Sequence, residues 1–420
     1  MHLKCIIAYM SSVKKDVGFI SRALEPALRQ AVRDFPVVVL TGPRQSGKTT
    51  LLTHLFAASH AHVSLDAPDV RAVAVSDPRG FLSLHGPPVI FDEIQYAPEL
   101  LAYIKGRVDA HRHDKGQFIL TGSQNLLLSE HISETLAGRA AILSLLPMSL
   151  REVCAEPQRP LPWEREITAA FRAGGDSDMM WRYMLRGGYP ELWAEPSRDA
   201  KPWYSSYIQT YLERDVRSLR QVADLTQFQS FVRALGARHG QLFNATEVAR
   251  ELGLAVNTIR AWLSVLETSY QVTILRPFYR NAGKRLVKAP KVYLTDPGVL
   301  CYLAGIQTRE QVLGSPLGGP LFEGVVLGEL IKAQVNRGQE PRVYFWRTAG
   351  GAEVDIVVEQ AGRCVPIEAK LSSTPRPKMA SGIEAFTRDF PESDKGFVVH
   401  TGDVILPLGE HALALPMNLL

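Results

Sequence analysis

The run Gly42-Pro43-Arg44-Gln45-Ser46-Gly47-Lys48-Thr49 has residue types and spacing that can do chemistry. It follows the pattern G-x-x-x-x-G-K-[ST], in which glycines let backbone N–H groups curl around phosphates. With Thr50 these residues form the candidate nucleotide-binding set. Lys48 would reach the β- and γ-phosphates, and the Thr49 hydroxyl would ligate Mg²⁺. A helix opening here adds the positive end of its dipole.

Forty-four residues after Lys48 stands Val89-Ile90-Phe91-Asp92-Glu93, an apolar run ending in two acids. Asp92 would hold the Mg²⁺ shell, and Glu93 would polarise the attacking water. Leu120-Thr121-Gly122-Ser123 offers Ser123, or Thr121, as a sensor of the γ-phosphate. A plain helix cap is the other reading of Ser123. Arg139 is either a finger reaching a neighbouring subunit's γ-phosphate or an ordinary salt-bridge arginine.

These groups need a scaffold that brings the ends of separate strands together. Pro36–Thr41 is a continuous apolar run, the mark of a strand buried on both faces, and the loop follows it directly. Short apolar runs recur at 62–65, 88–91, 117–120 and 140–143, mostly separated by helical stretches such as 99–110 and 125–136. That alternation predicts a parallel α/β sheet with helices on both faces. Inserting the 117–120 strand between the loop strand and the acidic strand puts its polar end beside the γ-phosphate.

Composition bounds the rest. The chain has 420 residues, 46% hydrophobic and 21% charged, which suits a globular protein of two to three domains. No apolar stretch approaches the roughly 18 residues of a membrane span. Cys5, Cys154, Cys301 and Cys364 lie far apart with no C-x-x-C, as expected of reduced thiols in a cytoplasmic protein. The pattern divides into a tail (1–18), an ATPase domain (19–147), a helical lid (148–232), a winged-helix-like unit (233–287) and an α/β domain (288–420).

The stretches 38–51, 91–95 and 120–123 together resemble the prokaryotic AAA-type ATPases that carry a conserved C-terminal domain of unknown function. The likeness continues through Gly187-Gly188-Tyr189-Pro190-Glu191, Tyr211–Val216 and Lys288–Gly298, and so covers the chain from about residue 19 onward. The resemblance implies ATP hydrolysis with Mg²⁺ and a fused C-terminal module. The first 18 residues lie outside it and could reflect a misassigned start.

Asn244–Leu254 followed by Val256–Ser269 has helix-turn-helix proportions, with Gly253 at the turn. Between 255 and 291 the bases Arg260, Arg276, Arg280, Lys284, Arg285, Lys288 and Lys291 face one acid, Glu267. The whole chain carries only +4, so this surplus of six is local and suits contact with a DNA backbone. A winged helix used for packing or for a protein partner is the other reading. Trp262 and Leu266, four apart, read as core.

Asp355 precedes Glu368 by thirteen residues, and Lys370 follows two further on. This resembles the D-x(n)-E-x-K core of restriction-endonuclease-like nucleases. The resemblance implies that Asp355 and Glu368 hold Mg²⁺ and that Lys370 orients water, with Glu323 or Glu329 from a preceding helix as a further carboxylate. A hairpin turn at Ala361-Gly362 would bring the three side chains to one end.

The expected protein is thus an ATP-hydrolysing P-loop protein with a helical lid, a winged helix and a nuclease-like module, its nucleotide state acting on DNA. A nucleotide-dependent switch on a protein partner, with an inactive nuclease-like scaffold, is the alternative. Nucleotide-dependent homo-oligomerisation would follow from a trans Arg139.

Overall fold

The computed structural model describes residues 19–122, 135–165, 177–211, 224–278 and 289–420. The tail 1–18 and the residues Ser123, Arg280, Lys284, Arg285 and Lys288 lie outside the described residues. Among the described residues no helix is long and apolar enough to cross a membrane.

Five strands build the first sheet: β1 (Val37–Thr41), β2 (Ala61–Ser64), β3 (Val89–Asp92), β4 (Phe118–Thr121) and β5 (Ala140–Ser144). Their order is β2-β3-β4-β1-β5, and every pairing is parallel. Val37 and Val39 pack with Phe91 and Phe118 on one face, while Val38 and Leu40 pack with Ile90 and Ile119 on the other. The three inner strands β1, β3 and β4 are buried on both faces, so their apolar runs do not alternate, while the edge strands β2 and β5 are partly exposed. β4 lies between β1 and β3, as the sequence led us to expect.

Beyond β5, the described residues up to 237 hold helices and no strand, the longer ones being Ser177–Arg186, Ala200–Tyr211 and Leu225–Ala237. Tyr183, Tyr189, Trp203, Tyr204 and Tyr207 fill their core. The helix Ala245–Leu252 begins where Asn244 accepts the N–H groups of Thr246 and Glu247, and it ends at Gly253 with φ 67°. That left-handed turn suits glycine and leads into the helix Val256–Thr268, whose Trp262 and Leu266 are buried.

The second sheet has eight strands: β6 (Val272–Pro277), β7 (Lys291–Leu294), β8 (Val343–Arg347), β9 (Glu353–Gln360), β10 (Arg363–Lys370), β11 (Gly396–His400), β12 (Leu406–Pro407) and β13 (Ala412–Pro416). Its order is β12-β13-β11-β10-β9-β8-β6-β7. β6 pairs with β7 on one side and with β8 on the other. The expected division at 287/288 therefore falls between two strands that pair with each other, and that pair is continuous with the C-terminal strands. β9 and β10 form the expected antiparallel hairpin, with Ala361 and Gly362 both at positive φ in its turn. Ile356 and Val358 pack towards the helix Gly318–Val335, and Val357 packs towards the helix Ser381–Asp389.

Candidate functional site

The loop leaves β1 at Thr41 and reaches the helix Lys48–Phe56 through three residues at positive φ: Gly42 (141°), Gln45 (60°) and Gly47 (92°). A Cβ on Gly42 would lie 2.2 Å from the Leu145 carbonyl oxygen, so the first glycine is required by close backbone approach as well as by φ. Lys48 is buried and donates to the carbonyls of Gly42 and Pro43, each at 2.9 Å. The Ser46 hydroxyl is buried with no partner among the described residues. A buried cation and a buried orphan hydroxyl in one glycine-rich turn fit a phosphate group.

Thr49 donates its hydroxyl to Asp92 Oδ2 at 2.8 Å, and Thr121 donates to Asp92 Oδ1. His62 Nε2 lies 3.7 Å from the same carboxylate. Burial alone would raise Asp92, but hydrogen bonds from His62, Thr121 and Thr49 outweigh it and hold the group at about 2. Asp92 is thus a carboxylate at neutral pH, and it already touches the hydroxyl with which it would share a Mg²⁺ shell. Glu93 follows with φ 59°, which turns its side chain out of the strand. Its N–H donates to Thr121 Oγ1 at 3.4 Å, and Gln95 donates to its carboxylate.

A cavity of about 1010 Å³ opens over this constellation. Arg44, Gln45, Gly47, Lys48, Thr49, Thr50 and Glu93 line one side, and Pro190, Trp203 and Tyr207 of the helical segment line the other. Two groups that spacing did not single out support it. Arg22 is buried and donates to Ser46 O (2.8 Å) and Leu146 O, and it pairs with Glu152 at 2.9 Å. It braces the loop from a segment with no motif, so no spacing signal could have found it. Tyr207 forms part of the cavity's helical wall, where it stacks on Trp203 and receives the Tyr189 hydroxyl at 2.6 Å.

Arg139 precedes β5, at the opposite end of the sheet from the loop, because Ala140 pairs with Val37 and Ser144 with Thr41. It makes a two-pronged contact with Asp109 at 2.7 and 3.0 Å on the surface. It does not reach its own chain's loop.

In the C-terminal sheet, Asp355, Glu368 and Lys370 come together. Lys370 Nζ is 3.0 Å from Asp355 Oδ2 and 2.5 Å from Glu368 Oε2, and the Ala369 N–H donates to Asp355 at 3.0 Å. Burial first, and then the Asp355 charge, push Glu368 up to about 9. Burial opposes ionisation of Asp355 too, but Lys370 and the Glu368 hydrogen bond keep it below the usual carboxylate range. One ammonium thus faces both carboxyl groups. Glu323 is the helix carboxylate on this side, raised by burial and then by Asp355, while Lys291 lies 3.1 Å from Glu323 and 2.7 Å from Glu353. Glu329 lies elsewhere, accepting the Leu150 N–H at 2.6 Å, because six residues along the helix turn it away from Glu323. Among the described residues no group of three or more His, Cys, Asp or Glu side chains is arranged to hold a metal ion. Lys370 spans Asp355 and Glu368, so one ammonium offsets the charge that the expected Mg²⁺ would otherwise meet.

Of the expected DNA contacts, Arg260 is exposed on the helix Val256–Thr268, and Arg276 is exposed on β6 with Glu267 at 3.5 Å. Lys291, counted in the same surplus, is instead buried between its two glutamates.

Residues 34–154 match the AAA domain family, and residues 177–310 and 318–420 match two domains of unknown function (DUF8612 and DUF4143). An uncharacterised protein of Mycobacterium tuberculosis is 32% identical over 393 residues, covering 93% of this chain and 82% of that one. An uncharacterised protein of Mycobacterium bovis matches with the same figures, 32% over 393 residues. Among solved structures, a Walker-type ATPase of Pyrococcus abyssi is similar at 16% identity with a TM-score of 0.46, over 68% of this chain and 96% of that chain.

Proposed function

The chain belongs to one family with the two mycobacterial proteins and carries an AAA-type P-loop ATPase domain, and from that premise we propose that it binds and hydrolyses ATP with Mg²⁺ and that nucleotide state controls its C-terminal modules. The observation that carries the reading is the Lys48–Thr49–Asp92–Glu93 constellation beneath a cavity closed on its far side by the helical lid. Lys48 would exchange its loop carbonyls for the β- and γ-phosphates, with the Ser46 turn supplying backbone donors. Thr49 and Asp92 would hold the Mg²⁺, which offsets charge on the phosphate oxygens. Glu93, turned out of β3, would accept the proton of the attacking water.

DNA is the partner this reading prefers, on the basic surplus of 255–291 and the exposed Arg260. The rival reading, a switch acting on a protein partner with an inactive nuclease-like scaffold, draws support from Lys370 bridging Asp355 and Glu368. Phosphate release by the purified chain, with and without duplex, single-stranded and branched DNA, in Mg²⁺ and in Mn²⁺, tests both. Stimulation by DNA supports the first reading. Hydrolysis unmoved by any nucleic acid supports the switch, and no hydrolysis at all contradicts both.

A further inference from the structure

We infer that Tyr270, which lies outside the ATPase domain, is a positioning residue for the phosphate-binding loop. Its hydroxyl lies 2.8 Å from Thr41 Oγ1 and 3.1 Å from Ser144 Oγ, and those two hydroxyls are themselves 3.1 Å apart. Thr41 and Ser144 are register partners at the ends of β1 and β5. The residue after Thr41 is Gly42, whose carbonyl accepts the Lys48 ammonium and whose Cα packs against Leu145. A shift at Tyr270 thus meets the loop within one residue of its first glycine.

The neighbouring residue reaches the other wall of the same cavity. Gln271 donates its side-chain amide to the Tyr207 hydroxyl at 3.0 Å, and Tyr207 lines the nucleotide cavity. Tyr270 has φ 63°, a left-handed backbone that an aromatic residue seldom adopts. Such a conformation persists only where surroundings over-determine it. Here the Tyr270 N–H is held by Glu267 O and the Gln271 carbonyl by the Thr295 N–H. The next residue, Val272, begins β6, which joins the C-terminal sheet through β8. One two-residue turn therefore touches the loop strand, the lid and the C-terminal sheet, in a geometry where movement of any one displaces the others.

This inference rests on the ATPase reading, and the test keeps the two apart. Tyr270→Phe keeps the ring and removes the hydroxyl. Steady-state ATP hydrolysis, the midpoint of thermal unfolding and the affinity for a non-hydrolysable ATP analogue are measured for wild type and variant. A positioning role predicts kcat lowered roughly fivefold or more, with analogue affinity near wild type and the unfolding midpoint lowered by at most about 3 °C, the cost of one lost hydrogen bond. Thr41→Val should reproduce the loss, and the double variant should be no worse than either single one. Unchanged kcat in an active wild-type background overturns the inference alone. A fall in kcat accompanied by a larger loss of unfolding midpoint than one hydrogen bond explains assigns Tyr270 to packing and overturns it too. A wild type that turns over no ATP contradicts the proposed function and takes this inference with it.

Discussion

Thr49 and Asp92 are joined by a 2.8 Å hydrogen bond between the first turn of the loop helix and the end of β3. The bond fixes the separation of two oxygens that a Mg²⁺ shell would share, so a cation would meet a preformed site. Asp92→Asn keeps the shape and removes the charge. ATP affinity measured in a chelator should hardly change, while the gain in affinity on adding Mg²⁺ should shrink by roughly 10–100-fold, as for residues supporting a metal. Isothermal titration with and without Mg²⁺ checks this, and an unchanged Mg²⁺ gain would remove Asp92 from the shell.

If Arg139 serves a neighbouring subunit, it must first leave Asp109. Arg139→Ala should then lower hydrolysis and leave nucleotide affinity nearly intact, and mixing it with Glu93→Gln should restore part of the rate across the interface. Light scattering with ATP and with ADP supplies the oligomeric state. A chain that stays monomeric and fully active at micromolar concentration leaves Arg139 as a surface ion pair.

DNA binding through 255–291 should weaken steeply with salt, by roughly 0.9 in log K against log salt for each phosphate contact. Reversing the charges of Arg280, Lys284 and Arg285 together should flatten that slope by about two units or more. Fluorescence anisotropy across a salt series reads it directly. The same slope in the variant would place the contact on another surface.

His239 is fully buried, with Nδ1 accepting the Leu294 N–H at 3.1 Å, and desolvation lowers it to about 3. The neutral ring suits that bond. Its folded value lies below its unfolded value near 6.5, so the unfolded chain binds more protons between the two. Stability should therefore fall as pH drops from about 6.5, by up to about 1.4 kcal/mol per pH unit from this group. His239→Gln, though less stable at pH 7, should lose less between pH 7 and pH 5 by chemical denaturation.

The candidate nucleotide site was largely legible in the sequence because its chemistry is local. Gly42 to Thr49 is one contiguous turn, and the buried run before Asp92 marks a strand end. The 117–120 strand was read as lying between the loop strand and the acidic strand, and β4 does lie between β1 and β3. The groups that support the site were not legible. Arg22 reaches Ser46 and Glu152 through tertiary contact alone, and Tyr270 meets Thr41 across 229 positions of chain. In the C-terminal cluster, spacing predicted the approach of Asp355, Glu368 and Lys370 because a hairpin fixes it. Spacing did not predict Lys291 between Glu323 and Glu353, since that contact depends on β7 belonging to the same sheet. Nor did it choose Glu323 over Glu329, a choice made by which side of the helix Gly318–Val335 faces β9.

Glu93→Gln bears most directly on the claim that this site hydrolyses ATP. The substitution keeps the shape and leaves Lys48, Thr49 and Asp92 in place, so only the acceptor of the water's proton is lost. Single-turnover hydrolysis should fall by roughly 10²-fold or more while nucleotide affinity stays near wild type. Hydrolysis at the wild-type rate in the Glu93→Gln protein would contradict the account.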